Sequence, residues 1–270
     1  MYRGVLTGCN EAFIIDSDTK NRLVNESSKN AEIIRPIIRG RDTFKFHANY
    51  STDSLLFIPW HFPFHTDENI KKASLEAEES FKNEYNAVYR HLEHYKDLLK
   101  KRNKAETGIR YEWYALQRFG SNYWADFEKA KILWKRVGSA LRFSYDTTGA
   151  YCLDTVCFAI GKDLKFIVGY LNSSVSKMEL LKNSPQTGTG DVIVSVQALE
   201  PHLVPKPSHF QQKAVEGLVD QCIETLNLKN GSDISQLEQQ IDEIFFELYG
   251  FDYEEREYIK SFNKISTSET

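Results

Sequence analysis

The chain has 270 residues, 41% of them hydrophobic, enough to bury a large core in one domain or in a body with a smaller lobe. No apolar run reaches the ~18 residues of a membrane helix and the first residues lack signal-peptide chemistry, so a cytoplasmic protein with no membrane partner is expected. The formal charge of −4 hides an asymmetry: from His209 onward thirteen acidic residues face five basic ones, leaving 29 basic and 25 acidic residues before it, a basic body suited to a polyanion and an acidic tail suited to protein or solvent.

Residues 2 to 16, YRGVLTGCNEAFIID, read as two short strands around the turn Thr7-Gly8-Cys9-Asn10. From such a turn Thr7 and Asn10 reach a base or a phosphate, or else satisfy their own backbone. The chain opens in mid-strand, so a longer parent polypeptide is expected. Residues 17 to 34 read as a polar loop and a short helix leading into Arg35-Pro-Ile-Ile-Arg-Gly-Arg-Asp42. There Pro36 bars a continuing helix, Ile37 and Ile38 ask for burial, and Arg39 and Arg41 flank a glycine that accepts positive φ. Paired guanidiniums on a turn anchored in a core suit phosphate oxygens or the acceptor edge of guanine; the plainer alternative is a surface ion-pair network.

Phe44-Lys45-Phe46 and residues 54 to 59 are strand-like, and WHFPF at 60 to 64 is a proline-broken aromatic loop. From about Glu68 to Arg102, a stripe including Leu75, Phe81, Tyr85, Val88, Leu92 and Leu99 marks a long helical region. Its basic end, Lys100-Lys101-Arg102-Asn103-Lys104, complements a helix C-terminus or contacts phosphate. YEWYALQR at 111 to 118 ends on Gln117 and Arg118, residue types that read adenine and guanine in a major groove if the loop is exposed. KAKILWKRVGSALR at 129 to 142 holds five cations and no acid, with Lys135 and Arg136 at a strand end that solvent explains as well as DNA does.

AYCLDTVCFAI at 150 to 160 is the strongest strand signal, followed by Gly161 and a helix, DLKFIVGYLNSS. Gly188-Thr189-Gly190-Asp191 precedes a strand at 192 to 196, the wrong order for a nucleotide cradle. In the tail, Ser235-Gln-Leu-Glu238 has the form of a capping box, Gly250 is the stop, Asp252 is a second cap, and a disordered end begins at Ser266. Cys9, Cys152, Cys157 and Cys222 are scattered and read as reduced thiols. The expected fold class is α+β: a mixed, largely antiparallel twisted sheet body with helical insertions over residues 1–208, and a helical C-terminal segment over 209–270.

In this order YRGVLTGCNEAFIID, AEIIRPIIRGRD, WYALQR, FEKAKILW, YCLDTVCFAIG with LKFIVGYLNS, and IDEIFFELYGF resemble the TaqI-like C-terminal specificity domain. That domain is the target-recognition half of adenine-specific DNA methyltransferases and of bifunctional type IIG restriction-modification enzymes. The likeness runs from residue 2 to about 260; no single motif decides it, but Arg39-Gly-Arg-Asp42 at its distance after TGCNEAF, together with the ELYG helix at the end, is fairly specific, and residues 59 to 105 are longer than the family usually shows. The resemblance implies sequence-specific recognition of double-stranded DNA beside a separate N-terminal methyltransferase domain, which binds S-adenosylmethionine and methylates N6 of a flipped adenine. Neither an NPPY motif nor a strand-glycine-helix cofactor loop stands in this sequence, so no cofactor, metal or catalytic residue is expected in the chain itself. On this implication Arg39, Arg41, Lys135 and Arg136 position the DNA backbone, and Thr7, Asn10, Gln117 and Arg118 are the candidate base contacts.

Two other classes compete. A metal-dependent nuclease would use Asp18-Thr-Lys20 or Asp163-Leu-Lys165, but neither follows a Pro-Asp pair; His61 with His65, and His91 with His94, lack a third zinc ligand. An interaction or scaffold protein would use the acidic amphipathic tail.

Overall fold

Period-two alternation decides how the interior is divided. The computed structural model describes residues 1 to 229 and 231 to 268, the last five by their backbone alone. Its strands are β1 (Tyr2–Arg3), β2 (Ile14–Ile15), β3 (Ile34–Ile38), β4 (Ser54–Leu56), β5 (Lys131–Lys135), β6 (Val137–Gly138), β7 (Phe143–Asp146), β8 (Tyr151–Cys152), β9 (Val156–Ala159) and β10 (Val192–Ile193). One sheet has the order β1-β9-β5-β7 and is antiparallel throughout. A second has the order β2-β4-β3-β8, with β3 and β8 parallel, and β6 pairs antiparallel with β10. The first sheet is a wall between two cores. Leu133, Val156 and Phe158 face a core shared with Ile37, Leu55, Phe81 and Tyr114. Ile132, Trp134 and Cys157 face the other, shared with Val168, Val215 and Phe245.

Helices α1 (Asn10–Phe13), α2 (Ser17–Glu26), α3 (Leu75–Glu84), α4 (Asn86–Glu93) and α5 (Lys96–Lys101) pack on the first core. Helices α6 (Leu164–Asn172), α7 (Ser174–Asn183), α8 (Val196–Leu199), α9 (His209–Leu228), α10 (Ser235–Tyr249) and α11 (Tyr253–Ser268) pack on the second. Helices α6 and α9 approach so closely that a Cβ on Gly169 would lie 2.5 Å from Val215 Cγ1. The architecture is α+β, with mixed, largely antiparallel sheets and a helical C-terminal part, as the sequence leads one to expect. No helix among the described residues is long and apolar enough to cross a membrane, and all four cysteines are free thiols.

Several local expectations change. The run at 150 to 160 is not one strand: the chain turns at Asp154, whose N–H donates to Val5 O at 2.9 Å, so that β8 and β9 join different sheets. The region from 68 to 102 breaks into three helices, because Tyr85 and Tyr95 leave helical geometry at the junctions (ψ 43° and 6°). The turn at 7 to 10 leads into α1 rather than a strand, with Thr7 Oγ1 accepting from Cys9 N at 3.2 Å. Phe46 sits at φ 67°, which breaks the strand expected at 44 to 46, and β10 stops at Ile193 before Ser195 caps α8. Ser235 does not cap α10: its hydroxyl bonds the Asp233 carboxylate, and Ile234 holds the cap position. Gly250 (φ 69°) ends that helix, and Asp252 and Glu255 form reciprocal capping bonds of 2.9 and 3.0 Å, both as expected. Of the disordered end expected from Ser266, residues 266 to 268 instead continue α11, and the rest lies outside the described residues.

Candidate nucleic-acid interface

β3 delivers the chain from a buried pair, Ile37 and Ile38, straight into the 39 to 42 turn. The Asp42 carboxylate closes that turn by accepting from Arg39 N at 2.9 Å, and Thr43 Oγ1 donates to Gly40 O at 2.8 Å. Gly40 is buried and, contrary to expectation, does not take positive φ. It leaves space instead: a Cβ there would lie 3.2 Å from Lys135 Cγ, tighter than an ordinary contact. The two arginines diverge. Arg39 is largely buried and pairs with Asp53, whereas the Arg41 side chain is 71% exposed, with Nε 3.8 Å from Asp42 Oδ1.

Lys135 ends β5 and lies over a second glycine, Gly138, whose added Cβ would meet Lys135 Cδ at 3.3 Å and Nζ at 3.4 Å. The Arg136 backbone is fixed on both sides, its N–H donating to Thr155 O and its carbonyl accepting from Val194 N, each at 2.9 Å. Its guanidinium is half-buried, with Nε unbonded. Arg142 is exposed, with its guanidinium 5.5 Å above the Phe44 ring. Arg41, Thr43, Lys135, Ser139 and Arg142, with Gly40, Gly138 and Ala140, line a cavity of about 120 Å³ that no carboxylate enters.

The other four candidates flank residues 6 to 8. Thr7 is buried, and its hydroxyl donates to Asn10 Oδ1 at 2.7 Å. Asn10 is exposed at the start of α1 and shares a shallow concavity with Arg39 and Asp53. Gln117 is half-buried against Gly8, which tolerates the contact because it has φ 72° and no Cβ; an added Cβ would fall 2.4 Å from Gln117 Oε1. Arg118 is exposed, its backbone paired with Leu6 through two bonds of 2.9 Å. The candidates thus fall into a group around the 39 to 42 turn and a group across the 6 to 8 segment, with Asn10 and Arg39 lining one concavity between them.

Two residues of this region were not singled out by sequence. Arg102 donates to the carbonyls of Thr7 (2.5 Å), Trp113 (2.7 Å), Ala115 (2.8 Å) and Leu99 (3.0 Å), so one guanidinium ties α5 to both loops. Burial lowers its pKa from the ordinary arginine value. The signal is its type: of the four cations at 100 to 104, only the arginine has a planar fork for several acceptors. Arg142 was visible only as part of the acid-free stretch.

The residues of the 163 to 165 run are held in separate polar contacts. Lys165 pairs with Asp220 at 2.6 Å, and Asp163 accepts from Gln212 at 2.9 Å. Glu112 is buried and accepts from His61 N (2.7 Å) and Ser74 N (2.9 Å), with His61 Nδ1 at 3.0 Å. His91 reaches Ala12 O, and among the described residues no group of three or more ligating side chains is placed for a metal. Nor do the residues fit a nucleotide-type cofactor. The Gly188-Thr189-Gly190 turn leads into β10, and the turn from β9 into α6 holds one glycine and places the Asp163 carboxylate at the N-cap.

Comparison with known proteins bears on this geometry. The family model of the TaqI-like C-terminal specificity domain matches residues 35–200, a span that contains the 39 to 42 turn, Lys135 and Arg142. The type II methyltransferase M.MjaIV of Methanocaldococcus jannaschii is 27% identical over 246 residues, covering 89% of this chain and 76% of that protein. In fold, the chain is similar to the type IIL restriction-modification enzyme MmeI, solved in complex with DNA, with a TM-score of 0.62 at 12% identity. That likeness covers 96% of this chain and 35% of the MmeI chain.

Proposed function

The chain belongs to the TaqI-like C-terminal specificity domain family, and from that premise we propose that it reads double-stranded DNA for an adenine-N6 methyltransferase or a type II restriction-modification enzyme. In this reading it holds the duplex so that a separate N-terminal domain, which carries S-adenosylmethionine, methylates a base flipped out of the stack. The observation that carries the reading is the cation-lined, carboxylate-free cavity at the 39 to 42 turn, inside the matched span. Arg39, Arg41, Lys135 and Arg136 belong to backbone positioning. Arg39 does so from within its pair with Asp53, as a support for the turn. Asn10, Gln117 and Arg118 belong to base reading, and Thr7 orients Asn10 through their 2.7 Å bond. Residues 1–208 form the recognition part, and the segment 209–270 packs on it through Val215, Val219 and Phe245. Selection of bound duplexes from a random-sequence pool tests this: enrichment of one short word is expected, and a bound pool no different from the input contradicts it.

A further inference from the structure

The cavity between the 39 to 42 turn and the turn after β6 has features that a general cationic surface lacks. Two glycines on different elements, Gly40 and Gly138, leave the Lys135 stem a slot that a Cβ on either would narrow to 3.2 or 3.3 Å. The slot lays the lysine along the wall, with its amine toward Gly138. On the facing side Arg142 is braced over Phe44, and Arg41 extends into solvent. Thr43 and Ser139 add polar side chains, and the room of about 120 Å³ exceeds that of one water several-fold. Lys135 and Arg142, gathered without a counter-ion of their own, repel one another, so the grouping is stabilised by an anion that bonds to both. Among the described residues neither Lys135 nor Arg142 has an ion-pair partner, in a chain where many other cations do.

We infer that this cavity is a clamp for a single backbone phosphate of one DNA strand, with Lys135 and Arg142 bonding the same phosphodiester and Arg41 closing over it. The inference rests on the proposed reading and adds to it a third cation, Arg142, and a stoichiometry of one phosphate. Shared occupancy predicts non-additivity. Each phosphate contact contributes about 0.9 to the slope of log K against log salt on duplex DNA. The slope is measured for the full chain, for Lys135→Gln, for Arg142→Gln and for the double variant, with thermal melting to confirm that each is folded. The double variant is expected to lose about 0.9 of slope in total. A loss near 1.8 means two separate phosphates and overturns the clamp, as does a double variant that keeps the slope of a duplex-binding wild type. A wild type that binds no duplex overturns the proposed function, and the clamp with it. A second arm follows acylation of the Lys135 amine at matched ionic strength. Protection by duplex and not by inorganic phosphate is expected, and protection by inorganic phosphate alone assigns the cavity to the free ion and overturns the clamp.

Discussion

The paired cations of the helical side contrast with those at the end of β5. On the helical side Lys165, Lys213 and Arg256 reach Asp220, Glu216 and Glu243 at 2.6, 2.6 and 2.7 Å, and Lys45 crosses to Glu238 at 2.6 Å. At the edge formed by the 39 to 42 turn and the end of β5, Lys135, Arg136 and Arg142 have no carboxylate among the described residues within ion-pair distance. An excess of four basic residues before His209 therefore does not report which cations stay unpaired. Availability, rather than number, is what a polyanion meets.

The largest effect expected comes from a cation of the same basic stretch that faces inward. Lys131 is fully buried with Asp146, whose carboxylate also accepts from Tyr50 at 2.8 Å and Thr148 at 2.7 Å. Lys131→Met strands that carboxylate and is expected to cost about 3–5 kcal/mol in denaturant unfolding, with part recovered by Asp146→Leu. A cost below about 1 kcal/mol would break the distinction between structural and available charge within this stretch. Next comes Arg102→Ala, which leaves the Thr7, Trp113 and Ala115 carbonyls without their donor; about 2–4 kcal/mol is expected, with only partial recovery in Arg102→Lys. Full recovery by lysine would show that charge, not the fork, holds the two loops.

A smaller effect is expected with pH. Burial, reinforced by Arg22 and His94 and opposed by the bond to Ala12 O, lowers the His91 pKa from the ordinary 6.5. The unfolded chain then takes up a proton that the folded chain refuses, so this stability is fully present above 6.5 and is lost as pH falls below it. Unfolding measured at about pH 7.5 and about pH 5 checks this, with His91→Phe flattening the dependence. A profile identical in the variant would remove His91 from the account.

Much of this was legible from local pattern. The core-anchored turn needs only Ile37, Ile38 and the residues beside them, and the tail helices announce themselves through Gly250 and Asp252. What escaped depends on long range. Nothing near Arg39 in sequence says that Asp53 pairs with it while Arg41 stays exposed beside Asp42, and nothing near Arg102 says that four carbonyls converge there. Gly40 suggests a positive φ in sequence, yet what it leaves is room beside Lys135, a residue 95 positions later. The run at 150 to 160 misled because a strand buried on both faces and two strands joined by a tight turn share one apolar signature.

The smallest change in energy tests the central claim most directly. Lys135→Gln and Lys165→Gln remove the same formal charge, one at the edge and one in a pair with Asp220. Measured side by side on random duplex at low salt, Lys135→Gln is expected to weaken binding roughly three- to tenfold, and Lys165→Gln less than about twofold. Equal losses in both would contradict the account, since binding would then follow net charge and not the cations that the fold leaves available.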